Sequence, residues 1–156
     1  MRKLSRGRVG RDRMREQPEA HFMSVKLFVA GNPLLDEDSL QFEVAKRVSK
    51  KLGMRLVYVN HPEYLLGQEG YLIDSVKGLA DVRKINSSEL VERKSVTAHD
   101  YDIGSFFRLL HAMGEKSEVI VIGIPQKKMS SCSEKDMEKI SDAVAALVKL
   151  SSPKSI

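Results

Sequence analysis

Three consecutive acidic residues, Asp36 to Asp38, stand between the first apolar segment of the chain and an amphipathic segment. A nucleotide-binding fold would place glycines here and leave room for a phosphate, whereas a cluster of carboxylates favours a cation. Helix capping is the alternative, because acidic side chains stabilise a helix N-terminus through its dipole. One acid suffices for capping and adjacent acids repel one another, so both interpretations of this acidic turn stay open.

Two further side chains could join a cation site. Asp74 directly follows the apolar run 71–73, where an Asx turn or a cap is the alternative explanation. His99 precedes a predicted helix; it could equally be a surface histidine, and His61 is a comparable competitor. Oxygen and nitrogen ligands together suit zinc, nickel, iron or manganese. Three protein ligands would leave coordination positions open for water or for a group of a substrate.

The residues that other kinds of functional site require are missing from the sequence. After the first strand only Gly31 is present, so the glycine pattern of a dinucleotide-binding fold is missing, and a nucleotide-binding Rossmann-like domain is the least favoured function. Neither a phosphate-binding loop nor a nucleophile elbow occurs. Cys132 lies in a serine-rich loop without a histidine partner in the sequence, which indicates an inert thiol.

Hydrophobic periodicity predicts the elements that must position these residues. The apolar repeat of Leu40, Val44 and Val48 is typical of an amphipathic helix. We predict strands at 25–30, 55–59, 71–73 and 119–124, an edge strand at 81–85, and helices at 37–52, 101–113 and 134–150. This alternation indicates an α/β fold: a three-layer sandwich with a mostly parallel, twisted sheet, of the phosphorylase/hydrolase-like kind. In such sheets ligands bind beyond the carboxyl ends of the strands, where Asp38, Asp74 and His99 fall.

Composition limits the domain organisation and the partners. The 156 residues are 42% hydrophobic and 30% charged, which is typical of one globular domain. Residues 1–22 carry seven basic and three acidic side chains, hence four of the five net positive charges. We therefore expect a disordered basic extension at 1–22, a single domain at 23–150 and a frayed tail at 151–156. The domain itself is nearly neutral, so no nucleic-acid partner is expected for it.

The cellular location is also an expectation from composition. No apolar stretch approaches the ~20 residues of a membrane helix, and no secretory signal follows the basic N-terminus. A single cysteine suits a reducing compartment. We expect a cytoplasmic monomer without a membrane partner.

The acidic turn, the strand-end aspartate and the histidine before a helix resemble the hydrogenase maturation endopeptidases. The resemblance covers residues 25–150 and rests on Gly31-Asn32-Pro33-Leu34-Leu35-Asp36-Glu37-Asp38, on Asp74, on His99 and on the late segment 121–125. It implies an aspartic-type endopeptidase that removes a C-terminal peptide from the nickel-loaded large-subunit precursor of a nickel-iron hydrogenase, and so activates that enzyme. It also implies that Asp38, Asp74 and His99 bind nickel supplied by the precursor, or another divalent metal in the isolated protein, and that Gly31 and Asn32 shape the turn.

The chain departs from the family pattern at four positions. Val29, Glu37, Ser39 and Gln41 replace a glycine, an aspartate and two further glycines, respectively. Glycines permit close approach of the backbone, so substrate docking is expected to differ here. These departures motivate an alternative function: a non-catalytic module that binds a metalloprotein or senses nickel without cleaving it.

Overall fold

The computed structural model describes residues 25–86, 103–115 and 118–151. Its strands are β1 (Lys26–Ala30), β2 (Arg55–Val59), β3 (Glu69–Val76), β4 (Arg83–Ile85) and β5 (Glu118–Pro125). Its α-helices are α1 (Asp36–Leu52), α2 (Ile103–Ala112) and α3 (Glu134–Leu150), and two short 3-10 turns lie at Pro62–Leu65 and Met129–Ser131. The predicted extension at 1–22, His99 and the tail from residue 152 onward lie outside the described residues.

The five strands form one sheet in the order β2-β1-β3-β5-β4. β1 pairs in parallel with both β2 and β3, and β3 pairs in parallel with β5 along its full length. Only β4, at the edge, runs antiparallel to its neighbour. A mostly parallel sheet needs helices on both faces, because parallel strands are joined by crossovers that lie over the sheet.

Two hydrophobic clusters cover the two faces of the sheet. The first joins the sheet to α1 and α3 and contains, among others, Leu27, Val44 and Val144, each fully buried. The second joins the sheet to α2 and the first 3-10 turn, through Phe107, Leu110 and Leu65. The fold is therefore the predicted three-layer α/β sandwich with a single mostly parallel sheet.

The two helices on the first face are held by apolar packing inside and by ion pairs outside. Arg47 of α1 contacts Glu134 of α3 at 2.7 Å and Glu138 at 3.3 Å. Lys51, one turn further along α1, contacts Glu138 at 2.5 Å and also pairs with Asp142. Exposed pairs contribute little singly, typically about 0.2–1 kcal/mol. They join the exposed sides of α1 and α3 above the apolar packing.

Most predicted elements are confirmed, with one difference that concerns the site. The predicted bounds of β2 and α3 agree with the structure, and α1 begins one residue earlier than predicted. The predicted third strand, however, is too short: β3 continues through Val76, so Asp74 lies within the strand and not after it. Asp74 pairs with Gly123 of β5, and these backbone bonds form irrespective of the polarity of the side chain.

None of the helices within the described ranges is long and apolar enough to cross a membrane.

Candidate functional site

The order of the strands reverses between β1 and β3. From β1 the chain passes over the first face through α1 to β2, on one side of β1. It then returns past β1 to β3, and Leu65 of the connecting 3-10 turn packs on the opposite face. Crossovers that leave in opposite directions open a crevice at the carboxyl ends of the two strands, and open α/β sheets bind their ligands there. We call this place the switch point; it lies between Ala30 and Asp74.

Asp38 organises the turn that leaves β1. Its Oδ2 accepts a hydrogen bond from the backbone N–H of Asn32 at 2.9 Å, and Asn32 Oδ1 accepts one from the N–H of Leu34 at 3.0 Å. These two bonds fold residues 31–34 back onto the start of α1. Asp38 Oδ1 accepts no hydrogen bond from the part of the chain that the structure describes, so this oxygen remains able to bind a cation. Asp38 thus holds the turn with its Oδ2, while its Oδ1 is left for a cation.

All three acids lie in the first turn of α1, as the dipole interpretation expects, but none of them forms the N-cap hydrogen bond. The N-cap residue is Leu35, and its side chain makes no capping bond. Instead Asp36 reaches the second 3-10 turn, where it accepts the hydroxyl of Ser130 at 2.7 Å and the Ser130 N–H at 3.1 Å. The Ser130 hydroxyl, followed by the Ser130 N–H, lowers the pKa of Asp36. Asp36 therefore ties the acidic turn to the loop after β5.

Gln41 bridges the two strands of the switch point. It is only 1% exposed, and Ser141 is the only other polar residue described as buried. Its Nε2 donates to the carbonyl oxygen of Ala30, and its Oε1 accepts from the N–H of Ser75 at 2.9 Å. The β1–β3 pairing ends at Val29 and Ile73, so the amide of Gln41 continues the hydrogen bonding where the two strands separate.

Gly31 shows how closely the turn is packed around this bridge. Its φ is +123°, a conformation that residues with a side chain rarely adopt. A Cβ at this position would overlap Gln41 Nε2 and lie 3.3 Å from Asp38 Oδ2. Glycine is thus required here both for its backbone conformation and for space.

Asp74 lies on the other side of the switch point from α1. Successive side chains of a strand alternate between faces, and Leu72 and Val76 belong to the cluster beneath α2. Asp74 therefore shares the face that α2 covers, whereas Asp38 stands at the start of α1 on the opposite face. The two carboxylates therefore belong to opposite faces of the sheet, on the two sides of the crevice.

The structure locates two of the three predicted metal ligands. Asp38 and Asp74 both lie at the switch point, whereas His99 lies outside the described residues, so the predicted trio stays a prediction. Within the ranges that the structure describes, no three histidine, cysteine or acidic side chains are grouped so that they could hold a metal ion.

Gln41 and Ser130 are the site residues for which sequence reasoning assigned no contact. Gln41 gave a partial signal, because it shares the inward face of α1 with Ala45 and Val48 and a polar residue on that face needs a buried partner. Ser130 gave none, because its partner Asp36 is 94 positions away in the chain.

No protein-family profile matches the chain, and no curated protein matches it in sequence. Among solved structures, the chain is similar to the crystal structure of the Hydrogenase 3 maturation protease. The TM-score is 0.48 and the sequence identity 16%, over 80% of this chain and 90% of that one.

Proposed function

We propose that the protein is an endopeptidase that removes a C-terminal peptide from the nickel-loaded large-subunit precursor of a nickel-iron hydrogenase. In this proposal Asp38, Asp74 and His99 recognise the nickel, which belongs to the substrate. The reaction is hydrolysis of one peptide bond, and it requires neither a serine nor a cysteine nucleophile. The precursor is the partner, and the protein acts as its activator.

The observation that carries the proposal is the position of Asp38 and Asp74 on the two sides of the switch point. Two acids far apart in the sequence lie at the place where this class of sheet binds ligands. They are also the acids that the resemblance to the hydrogenase maturation endopeptidases selects. Asp38 contributes a carboxylate oxygen that no described donor occupies, and carboxylate oxygens suit divalent ions.

The chain's own residues would act chiefly by orienting the substrate. Asp38 is fixed through Asn32, and Asp74 is fixed by the backbone pairing of β3 with β5. Two carboxylates carried on anchored backbone would favour one orientation of the precursor's metal site, and so place the bond to be cleaved at the end of the sheet. In the isolated protein, another divalent ion would meet the same ligands.

The direct test is a cleavage assay with the full-length chain. The protein is incubated with nickel-loaded precursor and with nickel-free precursor, and the precursor mass is measured in each case. We expect loss of a C-terminal peptide from the loaded precursor alone. Asp74→Asn and His99→Ala should abolish this loss while circular dichroism shows a folded chain. An unchanged mass with a cognate loaded precursor would refute the peptidase, and full activity of both variants would remove these residues from the mechanism.

A second function, a non-catalytic module that recognises a metalloprotein or senses nickel, is favoured by Gln41. This side chain fills the space between β1 and β3 where the family pattern has a glycine. The two functions differ in one pair of measurements. Tight association with the loaded precursor, combined with an unchanged precursor mass, would support the binding module.

A further inference from the structure

The buried amide of Gln41 connects the two halves of the candidate site. Ala30, which accepts from Nε2, directly precedes the Gly31–Asn32 turn that Asp38 holds. Ser75, which donates to Oε1, directly follows Asp74. The side chain of Gln41 therefore bonds both to the residue before the turn that Asp38 holds and to the residue after Asp74.

The orientation of the amide follows from its partners. The N–H of Ser75 requires an acceptor and the carbonyl of Ala30 requires a donor, so Oε1 must face Ser75 and Nε2 must face Ala30. A hydrocarbon side chain of the same size would leave both backbone groups without these bonds. A buried backbone group left unpaired is destabilising, so the surrounding strands would shift or admit water.

Gln41 also lies three residues after Asp38 on α1, so the two side chains are neighbours on the helix surface. Gly31 lies between them: a Cβ there would meet both Gln41 Nε2 and Asp38 Oδ2. Any movement of the Gln41 amide away from Ala30 would therefore change the position of the first turn of α1 relative to β3. That position sets the distance from Asp38 to Asp74.

We propose that Gln41 is a positioning residue that fixes the separation of Asp38 and Asp74 across the switch point. The effect of Gln41 on catalysis rests on the proposed function. Its effect on the separation of the two carboxylates does not. Gln41 does not contact the reacting bond in this scheme.

The test compares Gln41→Met with the matched control Ser141→Ala. Among the residues that the structure describes, Ser141 is the other buried polar one; its hydroxyl donates to the Met137 carbonyl at 2.7 Å within α3. Crystal structures of the wild-type chain and both variants give the distance between the carboxyl carbons of Asp38 and Asp74. Hydrogen exchange of the Ser75 amide is measured alongside. We expect Gln41→Met to lengthen the distance and speed the exchange, and Ser141→Ala to leave both unchanged.

Steady-state cleavage of the nickel-loaded precursor provides the second readout. At temperatures where all chains are folded, we expect kcat/KM of Gln41→Met to fall by about 10- to 100-fold, through a higher KM. Ser141→Ala should cleave as the wild type does. A merely structural role would lower the Tm of both variants and leave kcat/KM of the folded chains unchanged.

The outcomes separate the two proposals. If the wild-type chain cleaves no precursor, the proposed function fails, and the distance and exchange measurements still decide the geometric role of Gln41. An unchanged distance and unchanged exchange in Gln41→Met would overturn that role, and an unchanged kcat/KM despite a longer distance would overturn the catalytic one. Should Gln41→Met not fold, Gln41→Asn serves instead, since it keeps the amide but is one methylene shorter and cannot bond both Ala30 and Ser75.

Discussion

The carboxylate of Asp36 and the side chain and backbone of Ser130 form a two-point contact between the acidic turn and the loop after β5. Both oxygens of Asp36 are used, at 2.7 Å to the hydroxyl and 3.1 Å to the N–H. The contact joins the first residue of α1 to a segment that follows the last strand of the sheet. It therefore ties the start of α1 to the loop that follows β5.

This contact should make stability depend on pH in the acidic range. The Ser130 hydrogen bonds lower the pKa of Asp36 below the ordinary value of 3.8. A carboxyl group whose pKa is lower in the folded chain stabilises it above the unfolded pKa, and this contribution is lost as the pH falls through the folded pKa. We expect Ser130→Ala to have a lower Tm than the wild type at pH 7, and the difference to shrink below pH ~3.8.

Ser131→Ala is the matched control for this experiment, because Ser131 lies in the same 3-10 turn and its side chain makes no bond to Asp36. Its Tm should follow that of the wild type at every pH. An equal loss of Tm in both variants would show that the turn, and not the Asp36 contact, is the source of the effect.

The acids of the turn should differ sharply in function. Asp38→Asn keeps an oxygen that can accept from the Asn32 N–H, so the turn is preserved while the charge is lost. Cleavage of the loaded precursor should then be lost, whereas Glu37→Gln, an exposed neighbour, should retain it. Measuring the precursor mass for both variants decides the point, and equal activity of the two would remove Asp38 from metal recognition.

Substitution of Gly31 should be more costly than substitution of a comparable glycine. Gly31→Ala places a Cβ at φ +123° and against Gln41, so we expect a loss of about 1–3 kcal/mol in the free energy of unfolding, or more. Gly67 has φ +67° and open space around its Cα, so Gly67→Ala reports the backbone term alone, about 1 kcal/mol. Urea unfolding of both variants measures the difference in the free energy of unfolding. Equal losses would mean that the Gln41 side chain moves aside at no energetic cost.

Tyr71 should couple stability to pH in the alkaline range. It is 2% exposed, and its hydroxyl donates to the carbonyls of Val148, at 3.2 Å, and Ser151. Burial, together with the charge of Glu69, raises the pKa of Tyr71 to about 12. Since the unfolded value is near 10, the chain should lose stability between about pH 10 and 12 as the unfolded tyrosine ionises first.

Tyr71→Phe separates the two effects of this hydroxyl. The variant should lose about 1 kcal/mol at neutral pH with its hydrogen bonds. It should then decline less steeply than the wild type above pH 10. Tyr64→Phe, at an exposed position, is the control, and a decline as steep in Tyr71→Phe as in the wild type would contradict the assignment.

The sequence predicted well the elements whose signal is local. Leu40, Val44 and Val48 repeat at helical spacing and locate α1, and the predicted bounds of α3 agree with the structure. β3 was predicted too short because Asp74 and Ser75 are polar. A strand in the middle of a sheet is held by backbone bonds to β1 and β5, which the side chains do not reveal.

The candidate site was predictable to the extent that it depends on chain order. Asp38 follows β1 and Asp74 lies at the end of the β1–β3 pairing, so the rule for parallel sheets locates both. The contacts of Gln41 with Ala30 and Ser75, and of Asp36 with Ser130, join residues that only the folded sheet brings together. No pattern within a single segment contains this information.

The parallel pairing of β3 with β5 has a kinetic consequence. About 40 residues separate the end of β3 from the start of β5, and a loop of this length must close before the pairing gains any stability. The unit β1-α1-β2 is local and can form early, whereas Asp74 acquires its fixed backbone only when β5 arrives. We therefore expect the Asp38 side of the candidate site to form before the Asp74 side during folding.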